Sequence, residues 1–262
     1  MAEITAATVK ALRDATGQGM MECKKALEES GGDVEAAKDV LRKKGLVKAG
    51  EKATRTTKEG LIGLKAQAGW AAMVEVRCET DFCARNEVFR AMVDRVVELA
   101  AGAAPGPIEA TEAMQQAVQE ALAKIGENMS YARGIKIAAP RVGTYLHHNR
   151  KVGVIVGVEG EIADAALNDL CMHIAFADPL AIAAADVPAE LVEKERAFAR
   201  EEAAASGKPP QIVEKMVEGK VRKFVSASAL LEQPFVRDDK KKVAQVLGAA
   251  KVTAFARFAV GA

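Results

Sequence analysis

The sequence lacks the features that mark an exported or membrane-spanning protein. No apolar run approaches the roughly 20 residues that a helix needs to cross a bilayer. The stretch Met1-Ala2-Glu3-Ile4 contains neither a basic segment followed by an apolar one nor an arginine-rich amphipathic lead. We therefore expect a cytoplasmic protein that has no membrane partner.

Residues that usually bind metals or carry out catalysis are also scarce. The 262 residues include three histidines and four cysteines, and no two cysteines are spaced as C-x-x-C. They are His147, His148, His173, Cys23, Cys78, Cys83 and Cys171. Because no cysteine has a histidine at ligand spacing, we expect reduced thiols and neither a metal site nor a cofactor.

The usual catalytic motifs are missing. The chain contains no G-x-x-x-x-G-K-[ST], no G-x-S-x-G, no H-E-x-x-H and no G-x-G-x-x-G after a strand. His147 has no nucleophile partner visible in the sequence, and Gly126-Glu127-Asn128 offers a cation only one carboxylate and one amide. We therefore expect no catalytic residue, and a binding protein rather than an enzyme.

The composition is that of a folded protein with balanced charge. Half of the residues are apolar and 28% are charged, with 37 Lys plus Arg against 36 Asp plus Glu. The length predicts at least two domains. A balance this close argues against a general nucleic-acid surface, although a local basic patch remains compatible with it.

The N-terminal region, residues 1–46, is predicted to form three short helices, the third capped by Asp33 and ending at Gly45. Apolar spacing places Met20, Cys23 and Leu27 on the inward face of the second helix. Met21 and Lys24 lie beside that face, where the flexible thioether suits either a core or an interface. The polar stretch 47–59 has no apolar period and is predicted to be a linker.

The remainder alternates between strand and helix periods. A hairpin followed by a helix occurs in 60–140 and again from 141, which predicts a duplicated α+β core built on antiparallel strands. The second core half comprises 141–179 and 227–262, and its last strand, around Val252–Val260, is expected to rejoin the sheet. Residues 180–226 form a projecting antiparallel hairpin of two charged helices, which either self-associates or fills space.

The corner Thr80-Asp81-Phe82 follows an apolar, strand-like run and precedes a helical stripe. Two interpretations of it are open. Thr80 or Asp81 can cap the helix while Phe82 packs into the core, since Phe82 and Phe89 lie seven residues apart on one predicted stripe. Alternatively, the ring and the carboxylate project together beyond the fold and contact a partner.

Eight motifs, in order, resemble the translation elongation factor Ts family over essentially the whole chain. They are Gly19-Met20-Met21-Glu22-Cys23-Lys24-Lys25-Ala26-Leu27, Thr80-Asp81-Phe82, Lys124-Ile125-Gly126-Glu127-Asn128, Tyr145 to Gly153, Ser206-Gly207-Lys208-Pro209, Glu214-Lys215-Met216-Val217-Glu218-Gly219-Lys220, Lys223-Phe224 and Gln233-Pro234-Phe235-Val236. The resemblance implies a ubiquitin-associated-type N-terminal domain, a two-part core and an inserted coiled coil. Self-association of the projecting hairpin, one of the two alternatives above, would make a homodimer contact. The implied activity is guanine-nucleotide exchange on the GTPase elongation factor Tu, by disturbing its Mg²⁺ and phosphate site.

The resemblance also implies a partner-binding surface. Asp81 and Phe82 are expected to enter the nucleotide domain of the partner, with Thr80 and Cys83 beside them; family members usually carry an aliphatic residue where this chain has Cys83. The other expected contacts are Met20, Met21, Lys24, Ile125, His147 and Val236. The alternative function is a ribosome- or RNA-associated adaptor without exchange activity, which would use the basic linker and Lys240-Lys241-Lys242.

Overall fold

The computed structural model describes residues 4–52, 55–204 and 209–261, excepting the side chains of 45–52 and 204. Its longer elements mix helices with antiparallel strand pairs, as expected of an α+β protein. The helices are α1 (Ala6–Thr16), α2 (Met20–Glu29), α3 (Val34–Lys52), α4 (Asp81–Arg85), α5 (Glu87–Ala100), α6 (Glu112–Ile125), α7 (Asp164–Ala177), α8 (Ala189–Ala204), α9 (Pro210–Ser228) and α10 (Val243–Leu247). The strands are β1 (Glu59–Gln67), β2 (Trp70–Cys78), β3 (Gly106–Pro107), β4 (Met129–Ala138), β5 (Arg141–Leu146), β6 (Val152–Glu159), β7 (Pro234–Phe235), β8 (Asp238–Lys242) and β9 (Lys251–Ala259).

The three N-terminal helices pack around a small apolar core. The Asp33 carboxylate accepts hydrogen bonds from the backbone of Glu35 and Ala36, so the predicted cap of α3 is confirmed. The expected helix end at Gly45 is wrong, because α3 continues to Lys52. An interior glycine costs a helix only about 1 kcal/mol, and the residues around Gly45 and Gly50 are mostly good helix formers. The core residues are Val9, Leu12, Cys23, Ala26, Leu27, Ala37 and Leu41.

Two compact units divide the chain. The first comprises Met1–Lys65, Ala72–Lys136 and Ala259–Ala262, and the second comprises Ala66–Ala71 and Ile137–Phe258. A four-stranded sheet has the order β1-β2-β4-β3. Helices α5 and α6, which belong to the first unit, pack on each other. The apolar spacing predicts one long helix from Ala84 to about Gly102, but the structure has a break near its start, because Asn86 ends α4 and caps α5.

Strand β4 lies between α6 and the second hairpin, where the apolar pattern of the sequence predicts no element. Its alternating apolar positions, Met129, Tyr131, Ile135 and Ile137, are interrupted by Arg133. Arg133 is there because it binds the carboxylate of Glu75, which is fully buried in β2 and also accepts a hydrogen bond from Arg77 at 2.6 Å. Because an arginine that pairs with a buried carboxylate stands at one of the apolar positions, the sequence of β4 does not show the alternation typical of a strand.

The second unit contains a three-stranded sheet of order β5-β6-β9, so the prediction that the last strand rejoins a sheet is confirmed. Helix α7 packs on β5 and β6 over a core that includes Leu170 and Ile174. The sequence also predicts a helix from Lys240 to Ala249, and this prediction is largely wrong. Residues up to Lys242 pair with β7, and only Val243–Leu247 are helical, since Gln245 caps the backbone of Lys242.

Helices α8 and α9 pack along each other. Their apolar contacts come from alanines of α8 and valines of α9, namely Ala199, Ala203, Val217 and Val221. Val187, just before α8, clusters with Ala229 at the end of α9, so the two helices run antiparallel as predicted. The predicted hairpin requires a short turn, for which the sequence offers Ser206-Gly207-Lys208-Pro209-Pro210, and residues 206–208 lie outside the described residues. Within the described ranges, no helix is both long enough and apolar enough to cross a membrane.

Candidate partner-binding site

The corner between β2 and α4 is fixed by a helix cap. Thr80 has an extended backbone, with φ −125° and ψ 158°, and its hydroxyl accepts a hydrogen bond from the Cys83 N–H at 3.1 Å. The carbonyl of Thr80 accepts a hydrogen bond from the Cys78 thiol at 3.3 Å. The sequence left the capping residue open between Thr80 and Asp81; the structure identifies Thr80.

The segment after α6 clamps this corner. The Glu127 carboxylate accepts hydrogen bonds from the Thr80 hydroxyl at 2.9 Å and from the Thr80 N–H at 3.1 Å. One residue further on, the Asn128 N–H donates to the Glu79 carboxylate at 2.6 Å. Gly126-Glu127-Asn128 therefore supports the corner, and its carboxylate is engaged there. In the part of the chain that the structure describes, no group of three or more acidic, cysteine or histidine residues could hold a metal ion.

Phe82 projects from the clamped corner. Its side chain is 79% exposed, whereas Phe89 is fully buried. The interpretation that Phe82 packs into the core is wrong, because the break at Asn86 separates α4 from α5 and the seven-residue spacing does not continue through one helix. Asp81 is half-exposed and forms an ion pair with Arg85 at 3.1 Å. A ring and a carboxylate therefore face solvent side by side.

Cys83 faces the opposite way. Its side chain is 2% exposed, and a hydrogen bond with the Cys78 thiol, together with burial, raises the pKa of Cys83 far above its usual range. A protonated, buried thiol offers no surface to a partner. The expectation that Cys83 makes a direct contact is therefore corrected: the side chain anchors the first turn of α4 to the core.

The residues expected on α2 and α6 differ in exposure. Met20 and Met21 are 45% and 63% exposed, so the placement of Met20 on the inward face is wrong. Lys24 is exposed and lies 3.8 Å from Glu28. Ile125 is half-buried at the last position of α6, before Gly126 ends the helix. All four belong to the same unit as Phe82.

His147 and Val236 belong to the second unit. His147 is half-buried in the turn after β5, with its Nδ1 2.9 Å from the Asn149 Oδ1. Val236 is 44% exposed, and its N–H donates to the Nδ1 of His173 at 3.2 Å. Sequence reasoning missed His173 and missed the clamping role of Glu127; for Glu127 the available signal was its place in a motif shared with the family.

The basic run that the alternative function needed is partly neutralised. Lys241 pairs with Asp238 at 3.2 Å, and Lys242 pairs with Glu232 at 2.5 Å. Opposite charges this close leave little net positive potential for RNA phosphates. The run therefore gives the RNA-adaptor alternative no support.

Comparison with known proteins agrees with the motif order. A family model described as elongation factor TS matches residues 79–262. The chain belongs to the elongation factor Ts family. It is 44% identical to elongation factor Ts of Bartonella bacilliformis, an alignment that covers 98% of this chain and 93% of the relative. Elongation factor Ts of Gluconobacter oxydans is 43% identical, with coverage of 100% and 93%.

Membership of the elongation factor Ts family gives the chain its role, which is nucleotide exchange in translation elongation. Exchange factors act by binding, so the relevant chemistry is that of a contact surface. Among the family motifs, the corner at Thr80-Asp81-Phe82 combines rigid anchoring with exposure of a large apolar side chain.

Proposed function

We propose that this exchange factor binds elongation factor Tu and promotes GDP release by inserting Phe82 and Asp81 beside the Mg²⁺ and phosphate site of that GTPase. The observation that carries the proposal is the 79% exposure of Phe82 on a corner fixed by side-chain hydrogen bonds. An exposed aromatic ring on a rigid support loses little conformational entropy on binding and gains apolar burial.

The clamp supports this role because it fixes the direction of α4. Thr80 engages both its backbone N–H and its hydroxyl with Glu127, and the same hydroxyl caps α4. Hydrogen bonds to an ionised carboxylate contribute roughly 1.5–3 kcal/mol each. A partner that receives Phe82 therefore meets a backbone already held in place, so that binding energy is available to distort the phosphate site.

Thermodynamic linkage sets what the corner must achieve. Suppose that the exchange factor binds the nucleotide-free GTPase better than the nucleotide-bound GTPase. Bound nucleotide then weakens the affinity for the exchange factor by the same ratio by which the exchange factor weakens the affinity for nucleotide. Burial of a phenylalanine side chain contributes roughly 1.5–3 kcal/mol, which corresponds to about one to two decades. Phe82 alone is therefore too small to release a nucleotide held at nanomolar affinity, worth about 12 kcal/mol.

Additional contacts with the GTPase supply the rest of the binding free energy. We propose that Met20, Met21 and Lys24 dock α2 on the same GTPase domain, that Ile125 supports this contact, and that His147 and Val236 extend it. The exposure of both methionines supports their role, because an unbranched thioether adapts to an apolar partner surface. Asp81 adds a negative charge, which would compete with phosphate for backbone donors and oppose the local anionic groups once Mg²⁺ has left.

The two helical regions fit the remaining family features. We propose that α1 to α3 form a ubiquitin-associated-type module and that α8 and α9 form an antiparallel coiled coil. Exposed apolar side chains on that hairpin support a contact between two copies of the chain; they are Leu191, Phe198 and Ile212. We place the activity in the cytoplasm, where translation elongation occurs.

The test compares two phenylalanines of matched exposure. Phe82 is 79% exposed and Phe176 is 81% exposed. Stopped-flow release of labelled GDP from purified elongation factor Tu is measured with the wild-type chain, Phe82→Ala and Phe176→Ala. We expect Phe82→Ala to lower the catalysed release rate about 10- to 100-fold, since it removes the burial of one ring, and Phe176→Ala to have little effect.

Urea unfolding of each variant supplies the control for folding. Removal of an exposed side chain normally changes the free energy of unfolding by less than about 0.5 kcal/mol. Catalysed GDP release that is equally fast with Phe82→Ala and with the wild-type chain would overturn the proposal. An equal loss with Phe176→Ala would show that exposed rings in general, rather than the corner, carry the activity.

A further inference from the structure

His173 is a buried histidine of α7 whose protonation state is fixed by its neighbours. Its ring is 1% exposed, and its Nδ1 lies 3.2 Å from the backbone nitrogen of Val236. A backbone N–H can only donate, so Nδ1 must be the acceptor and carries no proton. The proton of the neutral ring is then on Nε2, which donates to the Oε1 of Gln233 at 2.9 Å.

Gln233 continues the network into the base of the helical hairpin. Its side-chain amide donates to the carbonyl of Ala227, at 2.7 Å, and to that of Ala177, at 3.4 Å. These carbonyls lie near the ends of α9 and α7. Because the amide nitrogen of Gln233 is committed to carbonyls, its oxygen faces His173 and accepts. The network is therefore satisfied in only one proton arrangement.

The adjacent ring completes the packing. Phe235 is 5% exposed and stacks on the imidazole, with centroids 5.7 Å apart and planes at 29°. The next residue, Val236, is 44% exposed. The buried rings of His173 and Phe235 thus fix the backbone just before Val236, whose side chain is exposed.

Most charged groups on the surrounding elements are engaged with one another. On α7 and after it, Asp169 pairs with Arg237 at 3.1 Å and Asp178 with Arg257 at 3.0 Å. Of the other charged groups on these elements, Glu232 pairs with Lys242, Asp238 with Lys241 and Asp164 with Arg141, whereas Asp239 and Lys240 are exposed on β8. Burial raises the pKa of the Cys171 thiol, also on α7, to about 12. Burial lowers the pKa of His173, and the hydrogen bond with Gln233 only partly offsets this.

We propose that His173 is a positioning residue for partner binding: its neutral ring holds the Val236 segment in a binding-competent place and releases it on protonation. This inference rests on the proposed contact of Val236 with the GTPase. Protonation puts a hydrogen on Nδ1, which then faces the Val236 N–H, donor against donor. The buried bond is lost and the segment is freed.

The direction with pH follows from the lowered pKa. The native contact is fully present above the ordinary imidazole pKa of about 6.5. As the pH falls from there towards the lowered pKa of the folded protein, unfolding and release of the segment become more favourable, because those states bind the proton more readily. Exchange activity that depends on this contact therefore decreases in acid.

Two substitutions separate the two hydrogen bonds. In His173→Asn, the side-chain oxygen takes the place of Nδ1 and can accept from Val236, but it does not titrate. In His173→Gln, the amide nitrogen takes the place of Nε2 and can donate to Gln233, but the acceptor for Val236 is lost. At about pH 7.5, we expect His173→Gln to lower catalysed GDP release about tenfold, because it leaves one buried donor unpaired. His173→Asn should stay closer to wild type.

The pH profile supplies the readout that a purely structural role would not produce. Catalysed release is measured between about pH 5.5 and about pH 8, and each rate is divided by the rate of spontaneous GDP release from the GTPase alone at the same pH, so that the pH dependence of spontaneous release cancels. The wild-type ratio should fall in acid, and the His173→Asn ratio should stay flat. A fall of equal size in His173→Asn would overturn the inference, as would wild-type activity in His173→Gln.

An NMR titration of the wild-type chain covers the case in which a variant does not fold. The Val236 amide should show a chemical-shift change and a loss of exchange protection that titrate together with the His173 ring. Titration of the ring without any response at Val236 would overturn the positioning role. Failure of Phe82→Ala to slow exchange would instead overturn the proposed function, so the two failures are distinguishable.

Discussion

The molecule contains two segments in which a strand hairpin is followed by a helix, and an apolar side chain near the start of each helix is exposed in one segment and buried in the other. In the first, β1 and β2 lead through Thr80 into α4, and Phe82 is 79% exposed. In the second, β5 and β6 lead through Gly160 into α7, and Ile162 is 9% exposed within the core of that unit. The same order of elements therefore displays an apolar side chain in one place and buries it in the other.

The difference lies in how each chain leaves its strand. Gly160 has φ 89°, a left-handed conformation that suits glycine and turns the chain back so that Ile162 joins the core. Ala163, the residue before α7, makes no side-chain cap. Thr80 instead stays extended and caps α4, which starts at once with Asp81 and Phe82. Local capping chemistry, rather than topology, decides whether the apolar residue faces solvent.

The comparison predicts its largest effect on stability. Ile162→Ala should lower the free energy of unfolding by about 2–4 kcal/mol, because it leaves a cavity in the core. Phe82→Ala should leave the free energy within about 0.5 kcal/mol of wild type. Urea unfolding of both variants measures this, and comparable losses at the two positions would show that Phe82 also belongs to the core.

Removal of the clamp should have the next largest effect. Glu127→Ala leaves the Thr80 hydroxyl and N–H without their acceptor, and we expect catalysed GDP release to slow about tenfold although Phe82 is present. Glu161→Ala, at an exposed glutamate of the second corner, is the matched control and should behave as wild type. Equal rates in the two variants would argue that rigidity of the first corner is unimportant.

A smaller effect is expected from the carboxylate beside the ring. Asp81→Asn keeps the shape and removes the charge, so it should slow GDP release a few-fold, in keeping with a partly exposed interaction worth about 1 kcal/mol. Arg85→Ala removes only the ion-pair partner of Asp81. If Arg85→Ala slows release as much as Asp81→Asn, the ion pair rather than the negative charge is what matters.

The smallest effect is expected from Cys83. Its side chain is buried against Cys78, so Cys83→Val should leave GDP release within about twofold of wild type and change the free energy of unfolding by less than about 1.5 kcal/mol. A strong loss of exchange with unchanged stability would restore Cys83 to the contact surface.

The sequence was most informative where local pattern and packing agree. The Asp33 cap, the return of β9 to the sheet and the hairpin of α8 and α9 follow from short-range periodicity and capping residues. It failed where a long-range contact overrides the local pattern. Strand β4 was missed because Arg133 serves the buried Glu75, a partner 58 positions away in the chain.

The candidate site divides along the same line. The motif order was enough to locate Phe82, Asp81 and the methionines of α2, but their exposure could not be read from spacing. The seven-residue interval from Phe82 to Phe89 suggested a shared buried stripe, and the break at Asn86 removed it. Residues that act only through a distant partner, such as Glu127 and His173, had no signal in the local pattern that assigned their roles.

The amino-acid sequence by itself determined the family, the mixture of helix and strand and the corner at which to look, because these depend on residue type and near-neighbour spacing. Only the tertiary structure decided that Phe82 faces solvent, that Cys83 faces inward and that Glu127 holds Thr80. Burial and hydrogen bonding between segments far apart in the chain depend on how the segments meet, and that is set by packing of the whole core.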